Sequence, residues 1–128
     1  MKKLYIVGFG GFGREVLWLA QRINQISSTW DIQGFIDDNE ELWGTKQDDY
    51  TVFGGCDYLI RLEEEVNVVI AIGSARVKKI VADKLENYTH IRFATLIDPS
   101  VVMSDRVKIG EGCIICAGTI ITVDVTIG

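Results

Sequence analysis

Ile97-Asp98-Pro99-Ser100-Val101-Val102-Met103-Ser104-Asp105-Arg106-Val107-Lys108-Ile109-Gly110-Glu111-Gly112-Cys113-Ile114-Ile115 carries an aliphatic residue at every sixth place. The series Ile97, Met103, Ile109, Ile115, Ile121 and Ile127 is unbroken. Four residues after each of the first five stand Val101, Val107, Cys113, Thr119 and Val125, all small or β-branched. The residues directly after the series are Asp98, Ser104, Gly110, Cys116, Thr122 and Gly128, mostly small or polar. A helix repeats at 3.6 and a strand at 2, so neither sustains a period of six. Stacked short strands do. Three six-residue units, about 18 residues, close one triangular coil, with the aliphatic residue inside and the small one near the corner. Residues 95–128 therefore predict the first coils of a parallel β-helix.

Working back toward the N-terminus, the pattern changes. Leu4 to Val7 is a short, wholly apolar run, as expected of a strand covered on both faces. It runs into Gly8-Phe9-Gly10-Gly11-Phe12-Gly13. Arg14 to Gln25 reads as a helix, with Val16, Leu19, Ala20 and Ile23 on one face. Trp30 to Ile36 reads as a second strand, ending at the turn Asp37-Asp38-Asn39. A short strand is expected at Thr51 to Phe53 and a short helix, capped by Asp57, as far as about Glu65. Val66 to Ile72 is a third apolar strand, stopped by Gly73-Ser74. Ser74 is placed to cap a helix whose face is Val77, Ile80, Val81 and Leu85. Strands alternating with helices predict a Rossmann-like parallel sheet with flanking helices over residues 1–94, with room for about four strands. The fold class is thus α/β.

The composition narrows the function. The chain has 128 residues, 48% apolar and 24% charged, with a net charge of −5. A mildly acidic domain without a basic run is a poor partner for nucleic acid or an anionic membrane. No apolar stretch reaches the ~18 residues of a membrane span. Met1-Lys2-Lys3 leads straight into the first strand, so a cytoplasmic location is expected rather than a signal peptide. Three cysteines, Cys56, Cys113 and Cys116, fit reduced thiols better than a disulfide framework.

The glycine loop and the hexapeptides occur together with Phe35-Ile36-Asp37-Asp38, Ala71-Ile72-Gly73-Ser74-x-Arg76 and Thr95-Leu96-Ile97-Asp98-Pro99-Ser100. In this order they resemble the bacterial hexapeptide-repeat sugar acyltransferases, of the sialic-acid O-acetyltransferase and UDP-4-amino-sugar N-acetyltransferase types. The resemblance spans essentially the whole chain. It implies a left-handed β-helix, a homotrimer, a UDP-sugar held by the N-terminal domain, and acetyl-CoA lying along the β-helix as co-substrate. No metal is implied. It also implies a histidine general base on a later coil, past Gly128. That leaves no catalytic residue within these residues and an expectation that they are inactive alone.

The candidate substrate-binding residues are Gly8, Gly10, Gly11, Gly13, Asp37, Asp38, Gly73, Ser74 and Arg76. Glycines between a strand and a helix allow a tight turn and close backbone approach, and the helix N-terminus offers free N–H groups to a phosphate. The alternative is a close-packed turn without a ligand. Asp37 and Asp38 stand where a dinucleotide-binding fold places its ribose acid. A carboxylate there accepts sugar hydroxyls or a uracil N–H, and the resemblance favours the uridine nucleotide. A solvated turn is the other reading. Gly73, Ser74 and Arg76 follow the third strand, at the end where open α/β sheets bind ligands. Arg76 either pairs with a pyrophosphate or is one more exposed cation beside Lys78 and Lys79. Arg14 is similarly placed in the first turn of its helix.

Other features read as structure. Cys113 and Cys116 keep the hexapeptide register and are expected to pack rather than to bind metal. His90 is a polar residue at the domain junction. Glu63-Glu64-Glu65 reads as a solvated helix end, and Trp18, Trp30 and Trp43 as core. Two other functions remain open on the residues alone: a non-catalytic nucleotide-sugar-binding or assembly module, and an NAD-binding protein using the glycine loop and Asp37. About four strands are fewer than the two halves that hold a full dinucleotide.

Overall fold

The computed structural model describes residues 1–103 together with 108–109, 112, 114–115, 120–121 and 126–127. The first part runs β1 (Lys2–Val7), α1 (Gly11–Ile26), β2 (Trp30–Ile36), a 3-10 turn (Glu40–Leu42), β3 (Lys46–Gln47), β4 (Tyr50–Gly54), α2 (Cys56–Ile60), β5 (Val66–Ile70), α3 (Ala75–Leu85) and β6 (Ile91–Phe93). These strands form one sheet in the order β3-β4-β2-β1-β5-β6. All pairs are parallel except the β3–β4 hairpin. From β1 the chain first builds outward through β2 and β4, then returns to the other side of β1 with β5 and β6. Strand order therefore reverses at β1, as in Rossmann folds, and opens a crevice at the carboxyl ends of the central strands.

The all-apolar β1 is explained by its two covered faces. Leu4 and Ile6 enter one core with Val16, Leu17, Leu19 and Ala20 of α1. Tyr5 and Val7 enter a second with Leu59 of α2 and Val81 and Leu85 of α3. The alternation is the period of a strand, and both of its phases are buried.

Six further strands follow: β7 (Leu96–Ile97), β8 (Val102–Met103), β9 (Lys108–Ile109), β10 (Ile114–Ile115), β11 (Ile120–Ile121) and β12 (Thr126–Ile127). Leu96 pairs in parallel with Ile114, Val102 with Ile120 and Lys108 with Thr126. Each partner lies three hexapeptides further along, the rise expected of one triangular coil. Leu96 is fully buried and joins the α1 core, and Ile114 packs against the same cluster. The first coil thus shares a core with the sheet. Cys113 and Cys116 lie outside the described residues.

Several expected details are corrected. The sheet has six strands, not about four; β3 and β6 are too short to carry a period. Helix α1 begins at Gly11, inside the glycine cluster, rather than at Arg14. Asp57 does not cap α2. Gly55 holds the N-cap position, and the helix ends at Ile60. Glu63-Glu64-Glu65 is therefore a loop, with Glu64 bridging to Lys3 of β1 and Glu65 to Arg92 of β6. The third expected strand ends at Ile70, two residues short. Ile80 is 55% exposed, as is Trp18, while Trp43 is also exposed and only Trp30 is buried. Ser74 caps α3 as expected, accepting from the Val77 N–H at 3.3 Å.

Candidate functional site

The crevice is built by the loop between β1 and α1, and its glycines divide into two kinds. Gly8 has φ of +113°, and a Cβ there would lie 2.5 Å from the Ala71 carbonyl oxygen. Its N–H donates to the Ile36 carbonyl at 2.7 Å. A Cβ on Gly13 would lie 2.0 Å from the Gly8 carbonyl oxygen. These two glycines are required by packing. Gly10, Gly11 and Gly73 have no atom within 4 Å of an added Cβ. They face open space, so packing does not demand their smallness.

Gly10 is the N-cap of α1, with no side-chain cap and no acid in the first turn. The first N–H groups of a helix have no partner within it. Here they stand at the positive end of an uncompensated helix dipole, a ready place for an anion. Gly8, Gly10, Gly11, Asp37 and Gly73, with the two loop phenylalanines, line a shallow cleft of about 290 Å³. No lysine or arginine lines it, so an anion there meets backbone donors first. Phe9 is held edge-on to Phe35, with ring centroids 4.9 Å apart.

Asp37 and Asp38 tie the loops at the strand ends together. Asp37 accepts the Phe9 N–H at 3.0 Å and the Asn39 N–H at 2.9 Å. Asp38 accepts the Cys56 N–H at 2.8 Å, so it caps α2 from a distant segment. The lack of a side chain at Gly55 makes room for it, since a Cβ there would lie 2.5 Å from Asp38 Oδ1. The Cys56 thiol is buried beside Asp38. Burial, then the Asp38 carboxylate, push it up to about 11, so it stays a neutral thiol.

Asp38 opens onto a second, larger cavity of about 540 Å³. Trp43, Phe53 and Tyr58 form its aromatic wall, and Phe53 stacks on Tyr58 at 5.5 Å. Glu40, Asp57 and Arg61 complete its rim. The Trp43 indole N–H donates to the Asp37 carbonyl at 2.7 Å, placing this wall beside the glycine cleft. A flat ring bearing N–H donors suits such a surface. Sequence reasoning missed this wall, because its aromatics come from a 3-10 turn, a strand and a helix too short to show a period.

Of the expected site residues, Gly8, Gly10, Gly11, Asp37 and Gly73 come together in the cleft. Asp38 serves the neighbouring cavity. Gly13 lies behind the loop. Ser74 spends its hydroxyl on the α3 cap, and Arg76 is exposed on the first turn of α3; neither lines the two cavities. His90 Nε2 lies 2.9 Å from the Leu59 carbonyl, which only accepts, so that nitrogen carries the proton. Among the described residues no three His, Cys, Asp or Glu gather to hold a metal. No described helix is long and apolar enough to cross a membrane.

One contact joins the two parts of the chain. Asp98 is 2% exposed and accepts Arg22 Nε at 2.6 Å and Nη2 at 3.1 Å. It also accepts the Ser100 N–H and hydroxyl. The Arg22 bonds, then those from Ser100, hold its carboxyl below the usual carboxylate range. The Arg22 guanidinium in turn lies 4.9 Å from the Trp18 ring centre.

A Rossmann-type sheet with a glycine-loop crevice, continued by a hexapeptide β-helix, defines the class. Residues 3–85 match the PglD N-terminal domain family, and residues 88–122 match the bacterial transferase hexapeptide repeats. The chain belongs to the PglD N-terminal domain family and carries hexapeptide repeats of the bacterial transferases. The UDP-N-acetylbacillosamine N-acetyltransferase of Bacillus subtilis is 36% identical over 118 residues, 91% of this chain and 52% of that protein. PerB of Caulobacter crescentus, solved with CoA and GDP-perosamine, superposes with a TM-score of 0.82 at 24% identity, over 100% of this chain and 57% of PerB. WeeI of Acinetobacter baumannii gives 0.80 at 28% identity, over 96% of this chain and 56% of WeeI. The chain thus spans about half the length of these relatives.

Proposed function

We propose that these residues are the nucleotide-sugar-binding portion of an acetyl-CoA-dependent sugar acetyltransferase that prepares bacterial surface-glycan or protein-glycosylation precursors in the cytoplasm. The observation that carries this reading is the uncapped, side-chain-free start of α1 facing Gly73 across the crevice. The diphosphate of a nucleotide sugar would take the backbone N–H groups of Gly11 and its neighbours. The base would lie against Trp43, Phe53 and Tyr58, with Asp38 accepting an N–H. The B. subtilis relative favours a UDP-sugar. Both it and the GDP-perosamine N-acetyltransferase of Caulobacter crescentus are named as N-acetyltransferases, which favours nitrogen as the acceptor.

The division at residues 94 and 95 would separate the sugar-nucleotide domain from the β-helix, along which acetyl-CoA would lie in a homotrimer. Transfer would be direct. The sugar nitrogen attacks the thioester carbonyl, a carbon–nitrogen bond forms, the carbon–sulfur bond breaks to release CoA thiol, and the amine proton passes to a base. The resemblance puts that base, a histidine, past Gly128. No covalent acyl-enzyme is needed, so the cysteines take no step.

Calorimetric titration tests the binding half, with a UDP-4-amino sugar, UDP and NAD as ligands. Binding of the UDP ligands and not NAD is expected, with a tenfold or larger loss in Asp38→Ala. Binding of NAD alone would overturn the reading in favour of a dinucleotide protein.

A further inference from the structure

Asp37 stands where a dinucleotide-binding fold puts an acid to receive ribose hydroxyls. In this chain that carboxylate is already bonded through both oxygens. Oδ2 takes the Phe9 N–H at 3.0 Å and Oδ1 takes the Asn39 N–H at 2.9 Å. Phe9 lies between Gly8 and Gly10, at the tip of the loop that forms the crevice. The loop is fixed on its other sides by Gly8, locked between the Ile36 and Ala71 carbonyls, and by Gly13, pressed on the Gly8 carbonyl. The Phe9 N–H is its one described bond to the end of β2 through a side chain. The adjacent Asp38 does the same work for the β4–α2 turn through Cys56. The acid pair therefore stitches three strand-end loops into one rim.

We propose that Asp37 is a positioning residue: it holds the β1–α1 loop in the conformation that receives the diphosphate, acting through the Phe9 N–H, and it does not bind the ribose hydroxyls. This rests on the nucleotide-sugar reading. The chemistry makes the assignment sharp. Both partners of the carboxylate are N–H donors, so an isosteric amide satisfies only one of them and turns its own NH2 toward the other. A carboxylate has about four acceptor positions, so two remain free for a hydroxyl. A ligand without hydroxyls asks whether they are used.

The test is a cycle between Asp37→Asn and the loss of both ribose hydroxyls, with UDP and 2′,3′-dideoxy-UDP as probes. Amide exchange at Phe9 is followed in the ligand-free protein. The Phe9 amide is expected to exchange at least tenfold faster in the variant. Asp37→Asn is expected to weaken UDP and dideoxy-UDP by the same factor, within twofold, because the loop serves both. A variant that weakens UDP tenfold or more while leaving dideoxy-UDP unchanged would show direct ribose contact and overturn the proposal. So would an unchanged Phe9 amide. Asp37→Ser, which offers one short acceptor, replaces the asparagine variant if that fails to fold. If the wild-type protein binds neither nucleotide, the nucleotide-sugar reading fails, and the Phe9 amide alone decides whether Asp37 holds the loop.

Discussion

At the scale of single residues, the glycine cluster divides into positions that packing requires and positions that face open space. Gly13 has no room for a methyl group, and Gly10 has open space. Gly13→Ala is expected to cost roughly 2 kcal/mol or more, because the Gly8 carbonyl is backbone and must shift. Gly10→Ala is expected to change stability by less than about 1 kcal/mol, and to weaken nucleotide binding. Urea melts and calorimetry on the two variants would separate these effects. A second residue-scale prediction concerns the β3–β4 hairpin. Asp48 and Asp49 both have positive φ, 52° and 71°. Two-residue hairpin turns of this kind prefer glycine at the second place. Asp49→Gly is expected to stabilise by about 1 kcal/mol, read as a higher urea midpoint. The sequence spacing pointed to all four loop glycines at once. It did not divide them, because the division depends on the Ala71 and Gly8 carbonyls, which only the folded chain brings close.

At the scale of elements, α1 does two jobs. Its first turn faces the crevice, and its Arg22 holds Asp98 just after β7. The periodic elements were readable: β2 matches its expected bounds, and the buried face of α1 is the expected one. The clamp was not, since Arg22 and Asp98 are 76 residues apart and each looks like an ordinary surface charge. Helix α2 was expected, with a different cap and too late an end, while strands β3 and β6 escaped, because two or three residues cannot express a period. The clamp carries its own prediction. Asp98→Asn removes charge-assisted bonds at a buried position and is expected to cost roughly 2 kcal/mol at neutral pH. Folding lowers the pKa of Asp98. Its contribution is therefore present above the unfolded carboxylate value of about 3.9 and is lost as pH falls through the lower folded value. The gap between wild type and variant in urea midpoint is expected to hold from pH 7 to 5 and to narrow below about pH 4. A gap that is independent of pH would contradict the pairing.

At the scale of the molecule, two architectures meet in one core. The period of six is visible in sequence because an aliphatic residue recurs without a break from Ile97 to Ile127. The parallel pairing of residues three hexapeptides apart is its direct structural counterpart. The reversal of strand order at β1 was not visible, since alternating strands and helices fix a parallel sheet without fixing its order. That reversal is what makes the crevice. Leu96 carries the sheet's core into the first coil, so the glycine cleft and the β-helix are coupled by packing as well as by Arg22. On the proposed function, the crevice at the start of α1 receives a nucleotide sugar. Backbone amide shifts measured by NMR during titration with a UDP-4-amino sugar test it most directly. The Gly10, Gly11 and Gly73 amides are expected to shift most, with the Trp43 indole N–H following. Shifts confined to the β6 edge of the sheet, around Phe93 and Glu86, with the glycine amides unmoved, would contradict it.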